Sequence, residues 1–131
     1  ITAFQIFNNL PASSNEVRED ASAEKWSLEI ESDMQSQNQA YLINFTAAWC
    51  ITCQTNEKTA LAREKVKEYL AKENIAYVKA DWTNRNEEIA IGLAKYERTG
   101  IPLYIFWKPG MRGSKILPAV LTEDSLIKSM Q

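Results

Sequence analysis

Two cysteines, Cys50 and Cys53, are the residues of this sequence best suited to redox chemistry, and they are the only cysteines in the chain. They lie three positions apart in the stretch NFTAAWCITC, after an apolar run and at the start of a segment with helical spacing. On the first turn of such a helix their Cα atoms would be about 5 Å apart, a separation that a disulfide can bridge. The pair can therefore form and break a disulfide locally and exchange two electrons with protein thiols.

The position of the pair predicts different roles for its two members. A thiolate at a helix N-terminus faces the positive end of the helix dipole and free backbone N–H groups, which lowers the pKa of a cysteine from about 8.5 into a reactive range. Cys50 is nearer to the terminus and is the predicted nucleophile. Cys53, one turn deeper, is predicted to resolve a mixed disulfide by attacking Cys50 and releasing the partner.

Other uses of the C-x-x-C spacing carry less weight. A zinc site needs more ligands, and the chain has no histidine and no further cysteine, so we expect no metal and no cofactor beyond the two cysteines. The lack of histidine also excludes Ser-His-Asp and Cys-His catalysis. A static disulfide in a protein-binding module stays open as an alternative, although so short a loop removes little entropy from the unfolded chain.

The composition favours a single folded domain. The chain has 131 residues, 45% of them hydrophobic, and a formal net charge of −2, which offers no basic surface for nucleic acid. No apolar run approaches the roughly 18 residues of a membrane span, and no signal segment opens the chain. We expect this fragment to be soluble and monomeric. Because it begins with Ile1, we also expect a processed product or a part of something longer.

Apolar periodicity predicts an α/β domain that follows an N-terminal arm. Residues 1–25 combine a small apolar cluster with a polar stretch rich in turn formers, and we interpret them as an arm or linker. Residues 26–131 are predicted to contain four strands and four helices. The strands are predicted at 40–45, 75–82, 101–107 and 114–120. The helices are predicted over 27–37, as a long amphipathic helix after the cysteines, between the second and third strands, and from Thr122 to the end. The short turn between the last two strands makes them antiparallel, so we expect a mixed sheet flanked by helices on both faces.

Three motifs in order carry a family resemblance: NFTAAWCITCQTNEKTAL, KADWTNRNEEI and GIPLYIFW. Together they resemble the C-terminal thioredoxin-like domain of the DsbD family of thiol:disulfide interchange proteins, over about residues 26–130. The resemblance implies a thioredoxin-like fold and a protein-disulfide reductase in the bacterial periplasm, as a domain of an inner-membrane protein. It also implies protein thiol and disulfide partners: an adjoining membrane domain that supplies electrons and an N-terminal periplasmic domain of the same polypeptide that receives them.

The resemblance further assigns roles to residues around the cysteines. It implies that Cys50 attacks and Cys53 resolves, which agrees with the dipole argument. It implies a cis peptide bond before Pro102, which would pack beside the disulfide, and backbone hydrogen bonds from Ile101 to a docked partner strand. Trp49 is expected to shield or shape the site, with simple core packing as the alternative.

Two further positions concern the protons that exchange must move. Glu57 lies four residues past Cys53, on the same helical face, and matches an acidic residue of the family; it is predicted to take or hold the Cys53 proton, with a solvated surface carboxylate as the alternative. Asn44 stands where these proteins usually place a buried aspartate. An amide cannot titrate, so the proton role passes to Glu57 or water. The missing negative charge predicts easier thiolate formation at Cys50.

The motif DWTNRN, residues 81–86, has no chemistry that the sequence explains. Asp81, Thr83 and Asn84 are interpreted as capping and turn residues. Trp82 is interpreted as packing.

Overall fold

The computed structural model describes residues 23–131, so most of the predicted arm lies outside the described residues. Within them, eleven elements follow in chain order: β1 (Glu24–Lys25), α1 (Ile30–Ser36), β2 (Tyr41–Thr46), α2 (Ile51–Asn56), a π-helical turn (Glu57–Leu61), α3 (Glu64–Lys72), β3 (Ala76–Asp81), α4 (Glu87–Ala94), β4 (Leu103–Trp107), β5 (Lys115–Ile116) and α5 (Glu123–Met130). The predicted order of strands and helices is confirmed, with one additional edge strand, β1, that carried no sequence signal.

The strands form one mixed sheet in the order β1-β3-β2-β4-β5. β1 and β2 run parallel to β3, while β4 runs antiparallel to both β2 and β5. In this register Thr46, the last residue of β2, lies beside Asp81, the last residue of β3. The carboxyl ends of β2 and β3 therefore meet at one edge of the sheet. The sheet begins at Glu24, slightly before the boundary predicted after residue 25.

Helices cover both faces of the sheet, which explains why β2 is buried at all six of its positions. Alternate side chains point to opposite faces. One face packs against α1 and α4 through Trp26, Met34, Ile43, Phe45, Ile89 and Leu93. The other packs against the π-helical turn, α3 and α5 through Leu42, Ala60, Val66, Tyr104, Phe106 and Leu126. The predicted α/β architecture with helices on both faces is confirmed.

The single long helix predicted after the cysteines is interrupted. α2 continues into the π-helical turn, whose wider spacing shows in the Ala62 N–H, which donates to the Glu57 carbonyl over 2.7 Å. The chain then extends for one residue before α3 begins. The turn leaves Asn56 and Leu61 both facing inward. No glycine or proline marks the break, so the local sequence shows no signal for it.

The last strand is shorter than its apolar pattern suggests. Residues 114–120 predict a strand, but β5 pairs with β4 only through Lys115 and Ile116. The Leu117 N–H still donates to the Tyr104 carbonyl at 2.9 Å. Pro118 has no N–H to donate, so the ladder ends there.

The helix ends partly follow their predicted caps. α5 begins after Thr122, whose side chain accepts from the Ser125 N–H at 3.1 Å while the Ser125 hydroxyl accepts from the Thr122 N–H at 3.0 Å. This capping box confirms the predicted start. α4, the helix predicted between the second and third strands, ends at Ala94. Among residues 23–131 the helices are all too short or too polar to cross a membrane.

Candidate active site

The two cysteines lie at the junction between β2 and α2. The strand ends at Thr46, the Cys50 N–H donates to the Ala47 carbonyl at 3.2 Å, and α2 starts at Ile51 with Cys50 as its N-cap. Cys50 and Cys53 form a disulfide with their Cα atoms 5.2 Å apart. Cys50 is 9% exposed and Cys53 2%. The outer and inner positions predicted for the two sulfurs are therefore present.

The Cys50 sulfur occupies the place that a capping oxygen takes at other helix starts. It accepts a hydrogen bond from the Cys53 N–H at 3.2 Å. Once the pair is reduced, this N–H group and the positive end of the helix dipole favour the charged thiolate over the neutral thiol. The nucleophilic role predicted for Cys50 relies on this local backbone geometry.

The loop before β4 lies against the cysteine pair. The Ile101–Pro102 peptide bond is cis, the geometry that the resemblance implies. The half-buried Ile101 packs against a small cluster formed by Ala47 and the two cysteines. Strand β4, antiparallel to β2, starts at Leu103 and so delivers this loop to the end of the sheet that carries the disulfide.

Trp49 lies at the surface, 44% exposed, and not in the core. Its indole N–H donates to the Thr83 carbonyl at 3.0 Å. The adjoining Ala48 N–H donates to the Thr83 hydroxyl at 2.9 Å. Thr83 is held in turn by Asp81, whose carboxylate accepts from the Thr83 N–H at 3.0 Å. The DWTNRN motif therefore fixes the loop that leads into Cys50.

Thr83 is a site residue that the sequence analysis missed, although a signal was present. A polar motif directly after β3 must lie beside the loop after β2 if the two strands are parallel neighbours, because their carboxyl ends then meet at one edge. The prediction of a structural role for the motif needs extending: its contacts are structural, but what they hold is the catalytic loop.

Asn44 is buried near the middle of β2, on the sheet face that also carries Leu42 and the helices after the cysteines. Its amide nitrogen donates to the Tyr77 hydroxyl at 2.9 Å. Among the described residues no group donates to its side-chain oxygen. A neutral amide thus takes the position at which the resemblance implies a titrating acid.

Glu57 opens the π-helical turn one turn beyond Cys53 and is partly exposed. It lines a polar cleft of about 200 Å³ together with Thr46, Gln54 and Lys79. The cleft also includes the loop residues before Trp49. The structure therefore places a carboxylate beside the strand end from which the cysteine loop departs. In the described part of the chain, no group of three or more acidic or cysteine side chains could hold a metal.

Residues 24–109 match the family model described as thioredoxin-like. The chain belongs to this thioredoxin-like family. The thiol:disulfide interchange protein DsbD of Yersinia pestis (strain Pestoides F) is 32% identical over 88 residues, which are 67% of this chain and 14% of the relative. The protein of the same name from Campylobacter jejuni (strain RM1221) is 23% identical over 100 residues, 76% of this chain and 17% of the relative. The chain thus spans a small part of these relatives.

Solved structures support the same fold. The oxidised C-terminal domain of Neisseria meningitidis DsbD superposes with a TM-score of 0.64 at 19% identity, covering 82% of this chain and 95% of that one. A thioredoxin from Thermus thermophilus reaches a TM-score of 0.63 at 16% identity, covering 82% of this chain and 84% of that one. At these identities the likeness establishes the fold. The predicted thioredoxin-like fold and the predicted similarity to DsbD are both confirmed.

Proposed function

We propose that this chain is a thiol:disulfide oxidoreductase domain that passes two electrons through the Cys50–Cys53 pair. The observation that carries this proposal is the disulfide itself, formed at a strand-to-helix junction with the outer sulfur at the helix start and the inner sulfur buried. A thioredoxin-like family match and relatives named thiol:disulfide interchange proteins support it.

Exchange with a partner disulfide proceeds in two displacements. The Cys50 thiolate attacks one partner sulfur, the other partner sulfur leaves as a thiolate and takes up a proton, and a mixed disulfide forms. Cys53 then loses its proton, and its thiolate attacks the Cys50 sulfur. The second partner sulfur leaves and is protonated. The partner has gained two electrons and two protons, and the domain is left with its disulfide until a dithiol donor reduces it.

The residues around the disulfide have separate roles in this scheme. Ile101, which packs against the pair, pairs its backbone with an extended segment of the partner. Trp49 covers the approach to Cys50 and keeps water from part of it. Glu57 accepts the Cys53 proton, directly or through water in the cleft it lines, because the buried amide of Asn44 cannot do so.

The likeness to DsbD supports a place for the domain. We propose that it is a reductase on the periplasmic side of the inner membrane, as one domain of a longer protein. A membrane domain of that protein would supply the electrons, an N-terminal domain would receive them, and the domain itself would act as a monomer. These assignments rest on relatives of which this chain spans 14–17%.

The reduction potential of the pair tests the proposal. The domain is equilibrated in glutathione and dithiothreitol buffers, and its thiols are then alkylated and counted by mass. A potential between about −270 and −200 mV is expected for an electron donor, whereas one near −120 mV would indicate an oxidant. A folded domain whose disulfide never exchanges with the buffer would instead be a binding module with a static brace.

Trapping experiments separate the two cysteines. Cys53→Ala should accumulate a mixed disulfide between Cys50 and a protein disulfide substrate, because the resolving step is lost. The matched variant Cys50→Ala should accumulate none. The opposite pattern would reverse the assigned roles.

A further inference from the structure

Arg85 lies against the tryptophan that precedes the outer cysteine. Its guanidinium carbon is 4.2 Å from the centroid of the Trp49 ring and 5.4 Å from that of Trp82. The Arg85 backbone has a φ of 51°, a left-handed conformation that few residues other than glycine adopt. Its N–H donates to the Trp82 carbonyl at 2.9 Å, which closes the turn. An unusual backbone and two aromatic rings thus hold this side chain in place.

The stacked guanidinium keeps its hydrogen-bonding capacity free. Arginine carries five N–H donors in a planar fork, and a position over a ring does not use them as conventional hydrogen bonds do. Arg85 is exposed, and in the part of the chain that the structure describes it forms no ion pair and no side-chain hydrogen bond. The nearby Asp81 carboxylate accepts from Thr83 instead.

Apolar side chains border Cys50 on the side away from the polar cleft. Trp49 is half-exposed on one side, and Ile51, the next residue, is 82% exposed. Ile101 borders the pair on another side. A partner that brings its own disulfide to Cys50 must cover these apolar side chains and come close to the Arg85 guanidinium.

We propose that Arg85 recognises a carboxylate next to the cysteine that the partner presents, and so makes the domain selective for acidic partner segments. A carboxylate is the protein group whose two oxygens match the guanidinium fork. Prior stacking on Trp49 reduces the freedom that the side chain would lose on pairing, which favours the contact. This inference rests on the proposed function, because it concerns the partner in disulfide exchange.

The test compares three disulfide-bonded peptides that differ only at the residue before the attacked cysteine, which is Glu, Gln or Lys. The reduced domain is mixed with each peptide, and the second-order rate of reduction is measured at low salt and again at high salt. An exposed ion pair is worth about 0.2–1 kcal/mol, so we expect the Glu peptide to react about 1.4- to 5-fold faster than the Gln peptide at low salt. The Lys peptide should be the slowest, and high salt should reduce the differences.

Variants then assign the preference. Arg85→Gln should bring the Glu-to-Gln ratio close to 1. Arg112→Gln is the matched control, since it removes the same charge from an exposed turn after β4, at the opposite end of the sheet from Cys50. It should keep the preference.

Three results would overturn the inference: equal rates on the Glu and Gln peptides in the wild type, an Arg85→Gln variant that keeps the preference, or an equal slowing of all three peptides by that variant. The last would mean that Arg85 acts on the Cys50 thiolate and not on the partner. If the wild type reduces none of the peptides, the proposed function itself fails. Retained reduction without a charge preference refutes only the role of Arg85.

Discussion

Asn56→Ala tests how the catalytic helix is tied to the rest of the domain. Asn56 is the last residue of α2 and is 1% exposed. Its amide nitrogen donates to the Tyr104 hydroxyl at 2.8 Å and to the Ala119 carbonyl at 2.7 Å, and its oxygen accepts from the Leu121 N–H at 3.0 Å. One side chain thus joins the helix to β4 and to the segment before α5.

The expected loss follows from what alanine leaves behind. Each hydrogen bond contributes about 1 kcal/mol net, and a buried polar group left without a partner costs about 1–3 kcal/mol. The Tyr104 hydroxyl and the Leu121 N–H would be left buried, whereas Ala119 is exposed and its carbonyl can turn to water. We therefore expect Asn56→Ala to lower the free energy of unfolding by about 3 kcal/mol, a large part of the roughly 5–15 kcal/mol of a typical domain.

Urea unfolding followed by tryptophan fluorescence measures this loss. Thr59→Val is the matched control, because the Thr59 hydroxyl makes a single bond, to the Leu121 carbonyl at 3.0 Å, from a more exposed position. It should cost about 1 kcal/mol or less. If the two variants lose the same small amount, the Asn56 network does not carry the energy assigned to it.

Three other perturbations give distinct readouts. Asn44→Asp should raise the pKa of Cys50 through like-charge repulsion, seen in the ultraviolet absorbance of the thiolate; an unchanged or lower value would contradict this. Burial raises the pKa of Tyr104 from 10.0 to about 12. The protonated Tyr104 side chain therefore makes its full contribution to the free energy of unfolding below pH 10, and this contribution is lost as the pH rises towards 12. Tyr104→Phe should therefore flatten the fall in unfolding free energy across that window, and an unaltered slope would refute the assignment. Gly92→Ala should destabilise the fold by about 1–3 kcal/mol, since the new Cβ would lie 2.5 Å from a Trp26 ring carbon; in a Trp26→Leu background the thermal unfolding midpoint should fall less.

Individual elements show which parts of this fold the local sequence pattern predicts. The apolar runs that form β2 and β4 predict central strands, because a strand covered on both faces consists almost entirely of apolar residues. β1 gives no such signal, because both of its side chains are exposed, and only its pairing with β3 makes it a strand. The break after α2 also has no signal in the local sequence. It coincides with Asn56, whose hydrogen-bond partners lie up to 65 residues away.

The residues of the candidate site also fall into those that the local sequence predicted and those that it did not. The C-x-x-C spacing and the start of a helix after a strand predicted the cysteine pair, whereas the loop beside it was implied only by the family resemblance that the GIP sequence helps to carry. Thr83 and Arg85 were missed as site residues, because the bonds that join Thr83 to Ala48 and Trp49 span 35 and 34 residues. Trp49 was left between shield and core, and its 44% exposure places it at the surface.

The sequence by itself determined that Cys50 and Cys53 can bridge each other and that Cys50 takes the helix start, because both properties depend on a spacing of three residues and on local backbone geometry. Only the tertiary structure decided which groups surround that pair. The register of β2 against β3 places Thr46 beside Asp81, and this brings the DWTNRN turn against the cysteine loop. Such contacts depend on how strands far apart in the chain align, and no short stretch of sequence contains that information.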